Sequence, residues 1–158
     1  MNTDIQQFID INRAVLAQSE NCEESQALLA KAKTLQDIKY FWQSYINGIV
    51  TEVPEQVLSA FEQHWAEYGE ALNRCGIRYN EDGDRWDLCI IGNTDKVIHL
   101  DYHAKAYVLG KAKVIAHECA QVYCFSPEAH IVLKGSSFGN IHKGTVETYN
   151  YATCIKGE

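Results

Sequence analysis

The sequence predicts an α+β fold, with helices first and a short β-solenoid last, on three observations. Residues 1–76 carry apolar side chains at helical spacing. From Ile77 the pattern shortens to that of strands, and from Ala104 a small-residue motif recurs every eight to nine residues. The expected division is a helical subdomain of three to four helices over 1–76, a β-hairpin connector over 77–103 and a solenoid region over 104–158, integrated as one domain.

The first helix opens at Thr3, with Gln6 three residues on as in a capping box, and carries Ile5, Phe8, Ile9, Asn12, Val15 and Leu16 on one face. Residues 18–24 form a polar connection, and Ser25 to Lys33 is a short second helix of strong helix formers. Thr34 is the N-cap of a third, with Asp37 in its first turn and a stripe of Leu35, Ile38, Phe41, Trp42, Tyr45 and Ile46; Gly48 is its expected stop. Pro54 then starts a helix with the stripe Val57, Leu58, Phe61, Trp65, Tyr68 and Leu72, ending at Gly76. Aromatic residues at this spacing on facing helices predict a packed core rather than a cofactor pocket.

Arg78-Tyr79 leads into the turn-forming cluster 80–84 and then the apolar run Trp86 to Ile91, which predicts a hairpin, and residues 92–95 form a second turn before the alternating strand Lys96 to Tyr102. The acidic turn does not fit an EF-hand. With Gly83 at the sixth loop position, Arg78 and Cys89 fall where acidic ligands are needed.

The repeat shows when Ala112-Lys-Val114-Ile-Ala116 is laid over Ala120-Gln-Val122-Tyr-Cys124 and Ala129-His-Ile131-Val-Leu133. Ala104 to Val108 is a looser copy, as are Gly139 to Ile141 and Val146 to Thr148, so five or six rungs are expected. Alternate residues point to one side of a strand, so each rung sends small or β-branched residues inward, and stacked rungs bury a narrow core. Stacking successive copies sets Cys124 between Ala116 and Leu133. Ile115, Tyr123 and Val132 then form a second apolar ladder outside, expected to pack on the helices.

This repeat resembles the short Ala-x-Val β-solenoid repeats of phage and mobile-element proteins, over roughly residues 104–152. The resemblance implies a right-handed β-helix-like fold and a mobile-element context. The stacked-coil hexapeptide acyltransferases keep a six-residue period that this chain does not share.

Composition bounds the function. Of 158 residues 46% are hydrophobic and 22% charged, with two prolines, which is a globular balance. No apolar run approaches the roughly 18 residues of a membrane span, and the N-terminus lacks the basic start and apolar run of a signal peptide. A cytoplasmic protein is expected, with its six cysteines as free thiols. The net charge of −7 opposes non-specific nucleic-acid binding. It divides into −6 over 1–76, −3 over 77–103 and +2 over 104–158.

No metal or cofactor is expected. His117, Cys119, Cys124, His130 and His142 do not follow a paired zinc spacing. No phosphate-binding loop, Gly-x-Gly-x-x-Gly or His-Glu-x-x-His motif occurs. The chain is therefore expected to be no enzyme but a macromolecule-binding protein, with a protein or ribonucleoprotein partner. The resemblance narrows this to an anti-defence, anti-CRISPR-like inhibitor that occludes or misdirects a host complex. Glu62, Glu67 and Glu70 around His64, or Asp82, Asp84 and Asp87, would compete for a basic groove, with Trp86 or Tyr123 as an anchor. Two alternatives are a small enzyme using His103, His117 or His130, and an assembly module that pairs solenoid edges into homo-oligomers.

Overall fold

The computed structural model describes Gln6, Ile9, Asp10, residues 12–14 and residues 23–156. It divides into two compact units, Met1–Cys75 and Gly76–Glu158. Of the first expected helix, Ile9 and Asn12 are helical and buried, while Thr3, Ile5, Phe8, Val15 and Leu16 lie outside the described residues.

In the first unit α1 spans Glu23–Ala30, α2 Leu35–Glu52 and α3 Pro54–Arg74. The Thr34 side chain accepts from the Asp37 N–H, and Asp37 accepts in return from the Thr34 N–H, closing a capping box. Backbone N–H groups of Lys33 and Thr34 hold the exposed Asp37 carboxyl below its ordinary value. Trp42 meets Phe61 edge-on, with ring centroids 5.9 Å apart, so Trp42 is core as expected, while Trp65 is half-buried.

Gly48 does not stop α2. Ile49 and Val50 beyond it are buried and continue the apolar stripe, so packing holds Gly48 helical. The stop comes from Pro54, whose ring disfavours helical backbone at the preceding residue. Val53 leaves the helix at φ −133° and ψ 54°, and Pro54 begins α3 at its first position. Gly76, at φ +79°, ends that helix in the left-handed region that suits glycine.

The second unit holds ten short strands: β1 Ile77–Tyr79, β2 Leu88–Ile91, β3 Val97–Leu100, β4 Lys105–Val108, β5 Lys113–Ala116, β6 Gln121–Cys124, β7 His130–Leu133, β8 Phe138–Ile141, β9 Thr145–Thr148 and β10 Thr153–Lys156. They form two all-parallel sheets. Sheet A has the order β1-β2-β4-β6-β8-β10 and sheet B the order β3-β5-β7-β9, so the chain alternates between sheets through about four turns of a β-solenoid.

Two expectations are corrected here. Residues 77–103 are not a hairpin: β1 and β2 pair in parallel, and β2 and β3 belong to different sheets. The short turns carry the chain round a corner instead of back beside itself. Leu88 to Ile91 is buried at every position, the mark of an inner parallel strand rather than a half-exposed hairpin arm. The eight-to-nine-residue period is also half a turn, since Lys105 pairs with Gln121 and Lys113 with His130. Cys124 is inward as expected but stacks between Val108 and Ile141.

Inward residues stack as rows. Cys89, Ala106, Val122 and Gly139 line sheet A, and Ile98, Val114 and Ile131 line sheet B. Both rows sit in one buried core cluster or directly against it. Corners from sheet B to sheet A use left-handed backbone at His103 (φ +65°), Cys119 (+60°), Gly135 (+60°) and Asn150 (+58°), and Trp86 (+69°) takes the same conformation before β2.

Candidate functional site: the outer face of sheet B

Strand alternation that sends Ile98, Val114, Ile131 and Val146 inward sends their neighbours out on sheet B. The register sets Val97, Lys113, His130 and Thr145 in one cross-strand row and His99, Ile115, Val132 and Glu147 in the next. The centre of this face is apolar, with Val132 buried and Ile115 half-buried between ionisable residues. Around it runs an open groove of about 400 Å³ lined by Lys113, Ile115, Val132, Lys134, Glu147, Tyr149 and Asn150.

His130 is held at both ring nitrogens. Its Nε2 lies 2.7 Å from Glu147 Oε2 and its Nδ1 lies 2.9 Å from Thr145 Oγ1. The Tyr149 hydroxyl donates to the other Glu147 oxygen at 3.4 Å. The hydrogen bond from His130 is the main cause that keeps the Glu147 carboxyl below its ordinary range, with the charges of His130 and Lys113 adding to it. On the same sheet the His99 and His117 rings stack at 5.8 Å.

The residues singled out from sequence have different fates. Glu62, Glu67 and Glu70 are exposed on α3, within an arc of roughly 140° at the helical repeat, and Glu70 meets Arg74 at 3.9 Å. Asp82 and Asp87 are engaged within the chain. Asp82 accepts from the His99 N–H at 2.8 Å. Asp87 accepts from the Asp84 N–H at 2.9 Å and from Arg78 Nε at 3.3 Å, so it holds its own turn. Asp84 is exposed, and Trp86 is 64% exposed with its ring stacked on His103 at 4.3 Å.

Tyr123 is not on the same face as Ile115 and Val132, because successive copies of the repeat alternate between sheets. It is half-buried on sheet A, stacked on Tyr107 at 5.1 Å, and its hydroxyl donates to Gln121. Lys105 Nζ lies over both tyrosine rings, and burial lowers its pKa. The Lys113, Lys134 and Glu147 groove was not assigned from sequence. The signal existed in the repeat as polar residues at outward positions, but only the two-sheet pairing brings them together.

Cys75, Cys89, Cys119, Cys124 and Cys154 are free thiols. Burial pushes Cys89 far up and Cys124 up to about 11, so both are inert core residues. Among the described residues no three His, Cys, Asp or Glu side chains are placed to share a metal ion. No described helix is long and apolar enough to cross a membrane.

Fold and face together define an α+β protein with a parallel β-solenoid whose second sheet presents a mixed apolar and ionisable platform. The chain matches no protein-family model, and no curated protein or solved structure matches it.

Proposed function

We propose that the chain is a non-catalytic binding protein that uses the outer face of sheet B to hold a protein or ribonucleoprotein partner. The groove carries this reading: an apolar floor of Ile115 and Val132 with Lys113 and Lys134 beside it has the make-up of a small interface core with a charged rim. The two lysines favour an acidic segment on the partner. The exposed glutamates of α3 offer a second surface of opposite sign. Inhibition of a host defence complex by occlusion is the narrower reading, and it rests on the resemblance of the repeat to phage and mobile-element proteins.

The test is an affinity pull-down from host lysate, followed by charge reversal in two sets. Lys113→Glu with Lys134→Glu should abolish capture of the partner while the fold persists by circular dichroism. Reversal of Glu62, Glu67 and Glu70 to Lys separates the two surfaces. If both sets leave capture unchanged, the electrostatic reading is wrong.

One observation favours an enzyme as the second reading. Thr145, His130 and Glu147 form a hydroxyl–imidazole–carboxylate series at the groove's edge. Hydrolysis of an activated ester that is lost in both Thr145→Ala and His130→Ala would support it, and equal rates in the parent and both variants would remove it.

A further inference from the structure

We infer that two copies of this chain pair end to end through the last solenoid turn, with β10 and β9 each lying antiparallel to its own counterpart. The two ends of the solenoid are finished differently. At the first end of sheet B the chain caps its own edge: Gly83 N–H donates to His99 O, Asp101 N–H donates to Gly83 O, and His99 N–H donates to Asp82. At the other end β9 and β10 are the outermost strands of both sheets, each hydrogen-bonded on one side. No described strand pairs with their free side.

The core is open there as well. Inward residues of the earlier turns are buried, whereas Val146, Ala152 and Cys154 pack on the core and remain partly exposed. Three large hydrophobic side chains of this last turn are exposed, with Tyr149 50%, Tyr151 88% and Ile155 51% accessible. A free parallel edge above an uncapped apolar core is a template for another strand, and solenoids need their end turns covered.

A second copy fits this edge for two reasons. The chain has a net charge of −7, but residues 145–156 hold one acid, Glu147, and one base, Lys156, so this is an end where copies approach without strong repulsion. A two-fold axis across both sheets also reverses strand direction, so each strand meets its counterpart antiparallel and inward positions face inward positions. The Thr153 N–H bonds to Ser137 O on the β8 side, so the Cys154 N–H points to the free edge. Centring β10 on Cys154 puts Ile155 opposite Thr153 and carries Lys156 to the end of the pair, beside Ala152, instead of burying it. Centring β9 on Val146 sets Glu147 opposite Thr145 and keeps the two glutamates apart.

In that register the two Cys154 residues exchange backbone hydrogen bonds at a Cα separation of about 5.5 Å, within disulfide range. The experiment is light-scattering mass across a concentration series, together with mild oxidation of the full chain. The expected mass rises toward twice that of the chain, and oxidation traps a dimer that Cys154→Ser prevents. The double variant Thr153→Lys with Ile155→Lys alters exposed positions only and sets lysine against lysine in the paired register, so it should remain a folded monomer. A monomer at every concentration overturns the inference. So does a dimer that survives the double variant, or one that Cys154 does not trap.

Discussion

Asp87 shows how a surface acid becomes a structural one. As a charge in an acidic turn it reads as a partner-binding residue, yet its carboxylate holds the Asp84 N–H and Arg78. Asp87→Ala should therefore lower stability by about 1.5–3 kcal/mol, since hydrogen bonds to charged groups are worth that much. Asp84→Ala, at an exposed position, should change stability little. Chemical denaturation of both variants checks the contrast.

Glu147 makes a pH-dependent prediction at the same scale. Its carboxyl is depressed in the folded state, so its contribution is present above the ordinary carboxylate value and is lost as pH falls through the folded value. A carboxyl-carbon NMR titration should place its midpoint below that of an ordinary glutamate. His130→Ala should move the midpoint back up, because the hydrogen bond from His130 is the largest cause of the shift.

At the scale of the element, the solenoid turns depend on backbone shape at the corners and on close approach between turns. Cys119 stands at φ +60° with an exposed side chain, so its backbone rather than its packing is what a substitution tests. Cys119→Val should lower stability, because β-branching adds clashes in the left-handed region beyond those the cysteine Cβ already makes. Cys119→Asn should be tolerated. A Cβ on Gly110 would lie 2.5 Å from the Gly92 carbonyl carbon and 2.6 Å from the Asn93 nitrogen. Backbone atoms cannot swing aside as a side chain can, and Gly110→Ala should cost about 1–3 kcal/mol. Thermal melts of these variants measure both effects.

The elements also separate what local sequence encodes from what it does not. Thr34 with Asp37 and Pro54 mark helix boundaries through bonds or ring sterics that need only neighbouring residues, and both are where the sequence places them. Gly48 is different, because whether a glycine ends a helix depends on whether the residues beyond it have a core to enter. The hairpin over 77–103 failed for a related reason. A short turn between two apolar runs has the same local chemistry whether the second run returns beside the first or crosses to another sheet.

For the whole molecule, stability should be graded along the solenoid axis, because each turn rests on its neighbours. Amide hydrogen exchange at low concentration should be fastest in β9 and β10, each paired on one side only, and slowest in β4 to β7. Uniform protection across all turns would show that the unit opens only as a whole.

The candidate site was legible in its parts and not in its assembly. His130, Trp86 and the α3 glutamates stood out from the sequence as chemistry-bearing residues. Their mutual distances did not, since a repeat read as eight to nine residues stacks the wrong partners. Pairing at fifteen to seventeen residues sets Lys113 beside His130 and His130 beside Thr145, and it divides Tyr123 from Ile115 and Val132.

By itself the sequence determined the α+β class, the change of period near Ile77, the inward row of small residues and the acidic helical part. Each follows from local periodicity, capping or composition, which neighbouring residues settle among themselves. Only the tertiary structure decided that alternate copies of the repeat belong to opposite sheets, that Asp82 and Asp87 hold turns, and that sheet B is capped at its first edge while β9 and β10 are paired on one side among the described residues. Those outcomes depend on which strands meet across long stretches of chain, and strand alternation is the same whichever partner a strand takes.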